Sequence, residues 1–179
     1  MKLLAFAASN SKKSINRQLV NYAISLMKDV DTEVLDINDY EMPLYSIDRE
    51  EEFGIPELAQ RFYDKIGEAD ALLISYAEHN SSYTAAYKSL FDWASRIDGK
   101  VYQGKPMIML ATSPGARGAS SVLAAATASA PRFGGELKAS LSIASFYENF
   151  DISSGKISNP EIQTGLEATL ASLFRDQLA

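Results

Sequence analysis

The pattern of hydrophobic and polar positions alternates between two periods along the chain. Five apolar runs of strand length predict strands over residues 3–8, 32–37, 70–76, 106–112 and 136–146. Apolar residues elsewhere recur at helical spacing, which predicts helices over 15–30, 56–66, 83–97, 119–130 and 162–174. Five strands that alternate with five helices indicate an α/β protein, with a parallel sheet and helices on both of its faces.

Residues 38–54 follow neither period. The segment contains Pro43 and a cluster of acidic side chains, so we predict a loop. A loop of this length is uncommon in a compact domain and usually belongs to a binding site or an interface. Its apolar side chains, which could contact another subunit, are Tyr40, Met42, Leu44 and Tyr45.

Three of the predicted strands end in polar turns. Residues 9–16, 77–83 and 113–118 follow the first, third and fourth strands. Ligands of open parallel sheets bind at the carboxyl ends of the strands, where the strand order reverses. In a five-stranded sheet of order 2-1-3-4-5, that point lies between the first and third strands. We therefore expect one composite site built from the three turns.

The first turn has the features of an anion site. It joins a strand to a helix and is rich in hydroxyl groups, with Ser14 placed to cap the helix. The first backbone N–H groups of a helix have no partner within it, and the helix dipole favours negative charge there. The turn therefore suits a phosphate group, although a serine-rich turn that only caps the helix has the same pattern.

Composition and charge narrow the classes of protein. The chain has 179 residues, 46% of them hydrophobic, which predicts a single domain over residues 1–179. Its 17 basic and 23 acidic side chains give a formal charge of −6, which argues against nucleic acid or an anionic membrane as a partner. No apolar run reaches the roughly 20 residues of a membrane-spanning helix, and we expect no signal peptide. The lack of cysteine excludes disulfides and a cysteine nucleophile and fits a cytoplasmic protein.

The first turn also resembles a known loop. Residues 8–16 read Ala-Ser-Asn-Ser-Lys-Lys-Ser-Ile-Asn, and the NADPH-dependent FMN reductases have Gly-Ser-x-Arg-x-x-Ser-x-Asn at this place. Ser11 stands where the family usually has arginine, which removes one bidentate partner for a phosphate. The resemblance implies that the phosphate of FMN is bound by Ser9, Ser14 and Asn16. The nearby cations that could replace the arginine are Lys12, Lys13 and Arg17.

The second and third turns are similar to the family's other two loops. Residues 77–82, Ala-Glu-His-Asn-Ser-Ser, are similar to Pro-Glu-Tyr-Asn-x-Ser, which passes along the flavin ring in the family. Residues 113–118, Ser-Pro-Gly-Ala-Arg-Gly, resemble Ser-x-Gly-x-x-Gly, which lies beside the isoalloxazine. The cofactor-binding residues that the resemblance implies are Ser9, Ser11, Ser14, Ile15, Asn16, Ala77, Glu78, His79, Asn80, Ser81, Ser113, Pro114, Gly115 and Gly118.

The resemblance covers the whole chain and implies both a fold and an activity. The fold would be a flavodoxin-like three-layer sandwich that forms one FMN-binding domain. The activity would be hydride transfer from NADPH or NADH to bound FMN and on to a small acceptor such as a flavin or a quinone. Because the flavin carries this chemistry, we expect no separate catalytic residue and no metal. Family members are commonly dimers or tetramers, which implies a homodimer or homotetramer.

Two other functions remain open from the sequence. A flavodoxin-type electron carrier would bind FMN but react little with NADPH, and the acidic composition is compatible with it. A flavin-free relative would bind another phosphorylated ligand or have a regulatory role. The missing arginine of the first loop and tyrosine of the second loop favour this reading.

Several single residues have two interpretations. His79, the only histidine, could be a general base, or it could flank the flavin or simply form part of the turn. Glu78 could pair with a flavin or nicotinamide group, or be solvated. Arg117 could contact the phosphate of NADPH or lie on the surface. Tyr83 could belong to the core or reach the site, and Trp93 could pack internally or contact another subunit.

Overall fold

The computed structural model describes residues 1–177, with side chains described as far as Phe174. The predicted domain runs to residue 179, so its last two residues lie outside the described part of the chain. The strands are β1 (Lys2–Ala8), β2 (Asp31–Leu35), β3 (Ala71–Tyr76), β4 (Glu78–His79), β5 (Ser82–Tyr83), β6 (Pro106–Thr112), β7 (Glu136–Ile143), β8 (Phe150–Asp151) and β9 (Lys156–Ile157). The helices are α1 (Ile15–Ser25), α2 (Ile47–Phe53), α3 (Glu57–Glu68), α4 (Ala85–Ile97), α5 (Ser120–Ser129), α6 (Phe146–Asn149) and α7 (Pro160–Ala171). Short 3₁₀ segments are Ile37–Tyr40 and Ser172–Gln177.

Five of the strands form a parallel sheet in the order β2-β1-β3-β6-β7. Numbered among themselves along the chain, these strands have the order 2-1-3-4-5, and the predicted topology is confirmed. The order reverses between β1 and β3, whose carboxyl ends are paired at Ala8 and Tyr76. The first and second turns therefore leave the sheet side by side at its carboxyl edge, which is where the sequence predicts the ligand site.

Helices cover both faces of the sheet because successive residues of its central strands point to opposite sides. On one face, Phe6 and Ile74 pack in a core with residues of α3, α4 and α5. On the other face, Leu3 and Leu73 pack with residues of α1 and α7. The predicted three-layer arrangement of a flavodoxin-like fold is confirmed.

The prediction of a loop over residues 38–54 is wrong in part. A 3₁₀ turn ends at Tyr40, and α2 occupies the second half of the segment. Ser46 caps α2 by accepting a hydrogen bond from the backbone N–H of Arg49. None of the residues of α2 is buried, so the helix has no apolar stripe, and its sequence lacks the period by which helices are recognised.

Other differences concern short elements. The turn predicted after β3 contains a hairpin of two-residue strands, β4 and β5, and a second such hairpin, β8 and β9, follows α6. The fifth sheet strand ends at Ile143 instead of reaching Phe146, and α1 ends at Ser25 instead of continuing to residue 30. Strands of two residues cannot be predicted from the sequence pattern, because the alternation of apolar and polar residues is recognisable only over several residues.

Among residues 1–177, no helix has both the length and the apolar character needed to cross a bilayer.

Candidate functional site

The three polar turns meet at the carboxyl edge of the sheet, where they enclose an open cleft of about 240 Å³. We call this space the loop cleft. Each turn extends a neighbouring strand, β1, β3 or β6, so the parallel sheet itself brings the turns together. The residues that line it are Ser9, Ser11, Lys13, Ser14, Ile15, Asn16, Ala77, Glu78, His79, Thr112, Ser113, Pro114 and Tyr147.

Most of the residues expected from the sequence lie in this lining, but some do not. The expected residues that lie outside it are Asn80, Ser81, Gly115 and Gly118. The lining residues that sequence reasoning missed are Thr112 and Tyr147. Lys13, which the sequence offered only as one of three possible cations, also lies in the lining. Tyr147 follows β7, whose carboxyl end lies at the same edge of the sheet. The topological rule that selected the three turns would have found it had the turn after the fifth strand been considered too.

The serine hydroxyls of the first turn are held in place by backbone groups. Ser9 Oγ accepts from the N–H of Ser11 at 3.2 Å, and Ser11 Oγ accepts from the N–H of Lys13 at 3.3 Å. Ser14 Oγ caps α1 by accepting from the N–H of Arg17 at 3.2 Å. In each of these contacts the hydroxyl is an acceptor, so its own hydrogen remains to be donated to a group in the cleft.

The three cations near this turn are placed differently. Arg17 forms an ion pair with Asp36, the residue after β2. Burial raises the pKa of the Asp36 carboxyl, but hydrogen bonds from Asn38 and Arg17 outweigh it, and the pKa lies below its ordinary value. Lys12 is exposed outside the lining, whereas Lys13 lines the cleft. Lys13 is therefore the cation that the fold leaves for an anion in the cleft.

Asn16 is buried beneath the cleft and joins three elements. Its side-chain amide donates to the carbonyl of Thr112 and accepts from the Thr112 N–H, both at 3.1 Å. Its oxygen also accepts from the Ser75 hydroxyl at 2.7 Å. The expected phosphate ligand thus uses its side chain to tie α1 to the ends of β3 and β6, which leaves its backbone N–H at the start of α1 for an anion.

The second turn is a strained hairpin fixed to its neighbours. Asn80 and Ser81 at its tip have φ angles of 52° and 63°, the left-handed region that asparagine tolerates better than most side chains. Glu78 Oε2 accepts from the backbone N–H of Val122 at 2.9 Å, in the first turn of α5. Glu78 is half-buried, and this oxygen of its carboxylate is bound to the backbone of α5. Thr84, at the base of the hairpin, donates to the carbonyl of Ala8 at 3.0 Å.

The two glycines of the third turn have different roles. Gly118 has a φ of +58°, and a Cβ there would lie 2.5 Å from Ser142 Oγ and 2.8 Å from the nitrogen of Ala144. The close approach that this glycine permits is thus to the end of β7, not to the cleft. Gly115 has no atom within 4 Å of its Cβ position. The carbonyl of Gly115 accepts from the N–H of Ser145 at 3.0 Å, which helps to hold Tyr147 at the cleft.

The remaining ambiguous residues have defined surroundings. His79 is exposed in the wall of the cleft. Arg117 is exposed and contacts the hydroxyls of Ser81 and Ser121 at 3.4 and 3.3 Å. Trp93 is buried, and its Nε1 donates to the carbonyl of Pro43 at 2.7 Å, so it packs internally.

The strand order and the cleft at the reversal point define a protein of the flavodoxin-like class. The sequence profile of the NADPH-dependent FMN reductases matches residues 1–137, and the chain belongs to that family.

Named relatives agree with this assignment. The chain is 38% identical over 120 residues to a 2-hydroxy-1,4-benzoquinone reductase of Burkholderia sp, covering 66% of this chain and 63% of the relative. It is 34% identical over 116 residues to an NAD(P)H-dependent FMN reductase of Pseudomonas aeruginosa, covering 64% of this chain and 61% of the relative. The match thus spans less than two thirds of the length of these relatives.

A solved structure is similar over nearly the whole chain. The flavoenzyme NAD(P)H:(acceptor) oxidoreductase FerB from Paracoccus denitrificans superimposes with a TM-score of 0.77 at 26% identity. The superposition covers 96% of this chain and 94% of FerB.

Proposed function

We propose that this protein is an NAD(P)H-dependent FMN oxidoreductase, which passes hydride from NADPH or NADH to bound FMN and then to a small acceptor. The observation that carries the proposal is the loop cleft, in which an open helix start, serine hydroxyls and one lysine converge at the reversal of the sheet. Family membership and the names of the relatives, which are flavin and quinone reductases, support the same activity.

The donors in the loop cleft fit the phosphate of FMN. The N–H groups of Ile15 and Asn16 open α1 and have no acceptor within the helix. Ser9 and Ser14 have hydroxyl hydrogens to donate, and Lys13 supplies a positive charge. The one carboxylate in the lining belongs to Glu78, which is bound to α5. A set of donors with one cation suits a dianion.

The rest of the loop cleft would hold the flavin ring. Ala77 and His79 form one wall, Ser113 and Pro114 form another, and the ring of Tyr147, 62% exposed, stands beside them. When bound, FMN would supply the acceptance and release of hydride. The protein would bind the phosphate, orient the ring between the two turns and leave one side of the cleft open to donor and acceptor. Residues 80, 81, 115 and 118 would act by shaping these turns.

A cytoplasmic homodimer or homotetramer is part of this proposal. Leu44, Ile47 and Phe53 are 65%, 57% and 75% exposed on the segment that contains α2, and exposed apolar groups of this kind mark contact surfaces. The lack of cysteine in the sequence fits the cytoplasmic location. The proposed acceptors are small molecules such as quinones and flavins, without nucleic acid or membrane partners.

A titration of the apoprotein with FMN, followed by flavin fluorescence, tests the binding site. Replacing Lys13 by alanine removes a charge-assisted contact, and we expect the dissociation constant to rise about 10- to 100-fold. Lys12→Ala is the matched control, since Lys12 is exposed in the same turn but outside the lining. We expect it to change the constant less than threefold. Equal effects of the two variants, or wild-type protein that binds no FMN, would contradict the proposal.

A second assay separates the enzyme from an electron carrier. NADPH is mixed with the FMN-loaded protein, first without an acceptor and then with a benzoquinone, and the flavin absorbance is followed. We expect rapid bleaching by NADPH and recovery of the absorbance on addition of the quinone. A flavin that stays oxidised with both NADPH and NADH would identify a carrier instead.

A further inference from the structure

The first turn of the loop cleft is tied to each of the other two turns by a buried side chain. Asn16 binds the backbone of Thr112, the residue of β6 from which the third turn starts. Thr84, at the base of the second turn, donates to the carbonyl of Ala8, the last residue of β1. Asn16 and Thr84 are 2% and 1% exposed. Neither contact joins the second turn to the third.

Glu78 makes the contact that joins these two turns. Its Oε2 accepts from the N–H of Val122 at 2.9 Å, and Val122 belongs to the first turn of α5, which follows residues 113–118. A second contact, from Arg117 Nη2 to Ser81 Oγ, is longer, at 3.4 Å, and joins two exposed side chains. Water competes for an exposed contact of this kind, so the half-buried Glu78 is the stronger link.

The helix α5 takes its capping group from the second turn because it has none of its own. Ala119, the residue before the helix, has a φ of 61° and no side-chain acceptor. Val122 is fully buried, so its N–H needs a protein acceptor. The dipole of α5 also favours a carboxylate at this end of the helix. The Glu78 carboxylate therefore has a defined place at the start of α5.

The second turn depends on contacts of this kind to keep its shape. Its strands, β4 and β5, have two residues each, and Asn80 and Ser81 between them have left-handed φ angles. An isolated hairpin is marginally stable at best, and strained residues keep their conformation only where the surroundings hold them. Glu78 lies in β4, so its bond to α5 holds the hairpin directly.

We propose that Glu78 is a positioning residue for the flavin ring. Its bond to α5 would hold the wall formed by Ala77 and His79 at a fixed distance from the wall formed by Ser113 and Pro114. This role differs from the direct cofactor contact that the family resemblance implies for Glu78. The inference rests on the proposed function, because the ring site between the two walls is part of that proposal.

Titration of the apoprotein with riboflavin and with FMN tests this role, because riboflavin has the ring but lacks the phosphate. Glu78→Met removes the carboxylate and nearly keeps the length of the side chain, whereas Glu78→Gln keeps an oxygen that can accept from Val122. We expect Glu78→Met to raise the Kd of both ligands by the same factor, about tenfold, since the ring site is what changes. Glu78→Gln should keep both constants within about threefold of the wild-type values.

Two further variants are controls for the two ends of the cleft. Lys13→Ala should weaken the binding of FMN alone, because riboflavin offers the lysine no phosphate. Glu148→Ala removes an exposed carboxylate outside the lining and should leave both constants within about threefold. If Glu78→Met does not fold, Glu78→Asp, whose carboxylate is one methylene shorter, replaces it with the same expectation.

The outcomes separate this inference from the proposed function. Wild-type affinity in Glu78→Met, a loss confined to FMN, or an equal loss in Glu78→Gln would overturn the positioning role and leave the proposed function standing. Wild-type protein that binds neither FMN nor riboflavin would contradict the proposed function, and this inference with it.

Discussion

At the scale of single residues, Asn16 fixes the relative positions of the first and third turns. Its side-chain amide donates to the carbonyl of Thr112 and accepts from the Thr112 N–H and from the Ser75 hydroxyl. Asn16 itself is only 2% exposed. Removing it leaves three buried polar groups without their partner. Each such group costs about 1–3 kcal/mol, although relaxation and water recover part of the sum.

We predict that Asn16→Ala lowers the free energy of unfolding by about 3 kcal/mol. Urea denaturation followed by circular dichroism measures it. Asn21→Ala is the matched control, because Asn21 lies on α1 but is exposed, and it should change stability by less than about 0.5 kcal/mol. Similar decreases in the free energy of unfolding in the two variants would show that the buried hydrogen bonds of Asn16 do not stabilise the fold.

The Asp36 carboxylate gives a second residue-scale prediction, in the pH dependence of stability. Its pKa is lower in the folded protein than the ordinary value of about 3.9, so folding favours the ionised form. The contribution is therefore present above about pH 4 and is lost as the pH falls through the lower, folded-state pKa.

We predict that Asp36→Asn destabilises the protein at pH 7 and that the difference from wild type shrinks as the pH falls below about 4. Urea midpoints measured between pH 7 and pH 3 check it. Asp39→Asn removes an exposed carboxylate three residues away and should show no such convergence. A difference for Asp36→Asn that stays constant over this range would contradict the assigned ion pair with Arg17.

At the scale of elements, the third turn depends on one glycine. Gly118 combines a left-handed backbone with contact to residues 142–144 of the chain, so a methyl group there meets both strain and overlap. We predict that Gly118→Ala costs about 3 kcal/mol in thermal or urea unfolding. Gly115→Ala, three residues earlier and facing open space, should be nearly neutral. A neutral Gly118→Ala would mean that the turn and β7 can move apart freely.

Elements with a buried face were predictable from the sequence, and elements without one were not. The strands of the sheet and the helices α3, α4 and α5 bury apolar residues at regular spacing, and their order gave the topology. The helix α2 buries none of its residues and is held by its Ser46 cap and by the contact of Glu50 with Arg96, whose Nε lies 2.8 Å from Oε2. Neither interaction leaves a hydrophobic period in the sequence.

The location of the site was predictable for a different reason from its detailed contacts. The positions of the turns follow from topology, which is why Ser9, Ser14 and Ala77 were found together. The hydrogen bond from the Val122 N–H to Glu78 joins residues 44 positions apart, and no local sequence pattern predicts it. The choice among Lys12, Lys13 and Arg17 likewise needed the ion pair between Arg17 and Asp36 to be seen.

At the scale of the whole molecule, the proposed oligomer gives a prediction at an exposed surface. Ile47 and Phe53 lie on α2, where no residue is buried, so charged replacements there should not disturb the fold. We predict that wild-type protein sediments as a dimer or tetramer and that Ile47→Lys/Phe53→Lys sediments as a monomer. Ile152→Lys, at a residue 53% exposed in the β8–β9 hairpin, is the control and should keep the wild-type assembly. Wild-type protein that sediments as a monomer would rule out the assembly.

The hairpin of β4 and β5 contributes to the walls of two cavities. One is the loop cleft, and the other is a cavity of about 220 Å³ between α4 and α5. Glu78 belongs to the lining of the loop cleft, and its strand partner Tyr83 belongs to the lining of this second cavity. If a ligand in one cavity displaces the hairpin, thermodynamic linkage requires the affinities of the two ligands to change by the same factor, whichever binds first. A ligand between α4 and α5 would then change the affinity of the loop cleft for its own ligand by that factor.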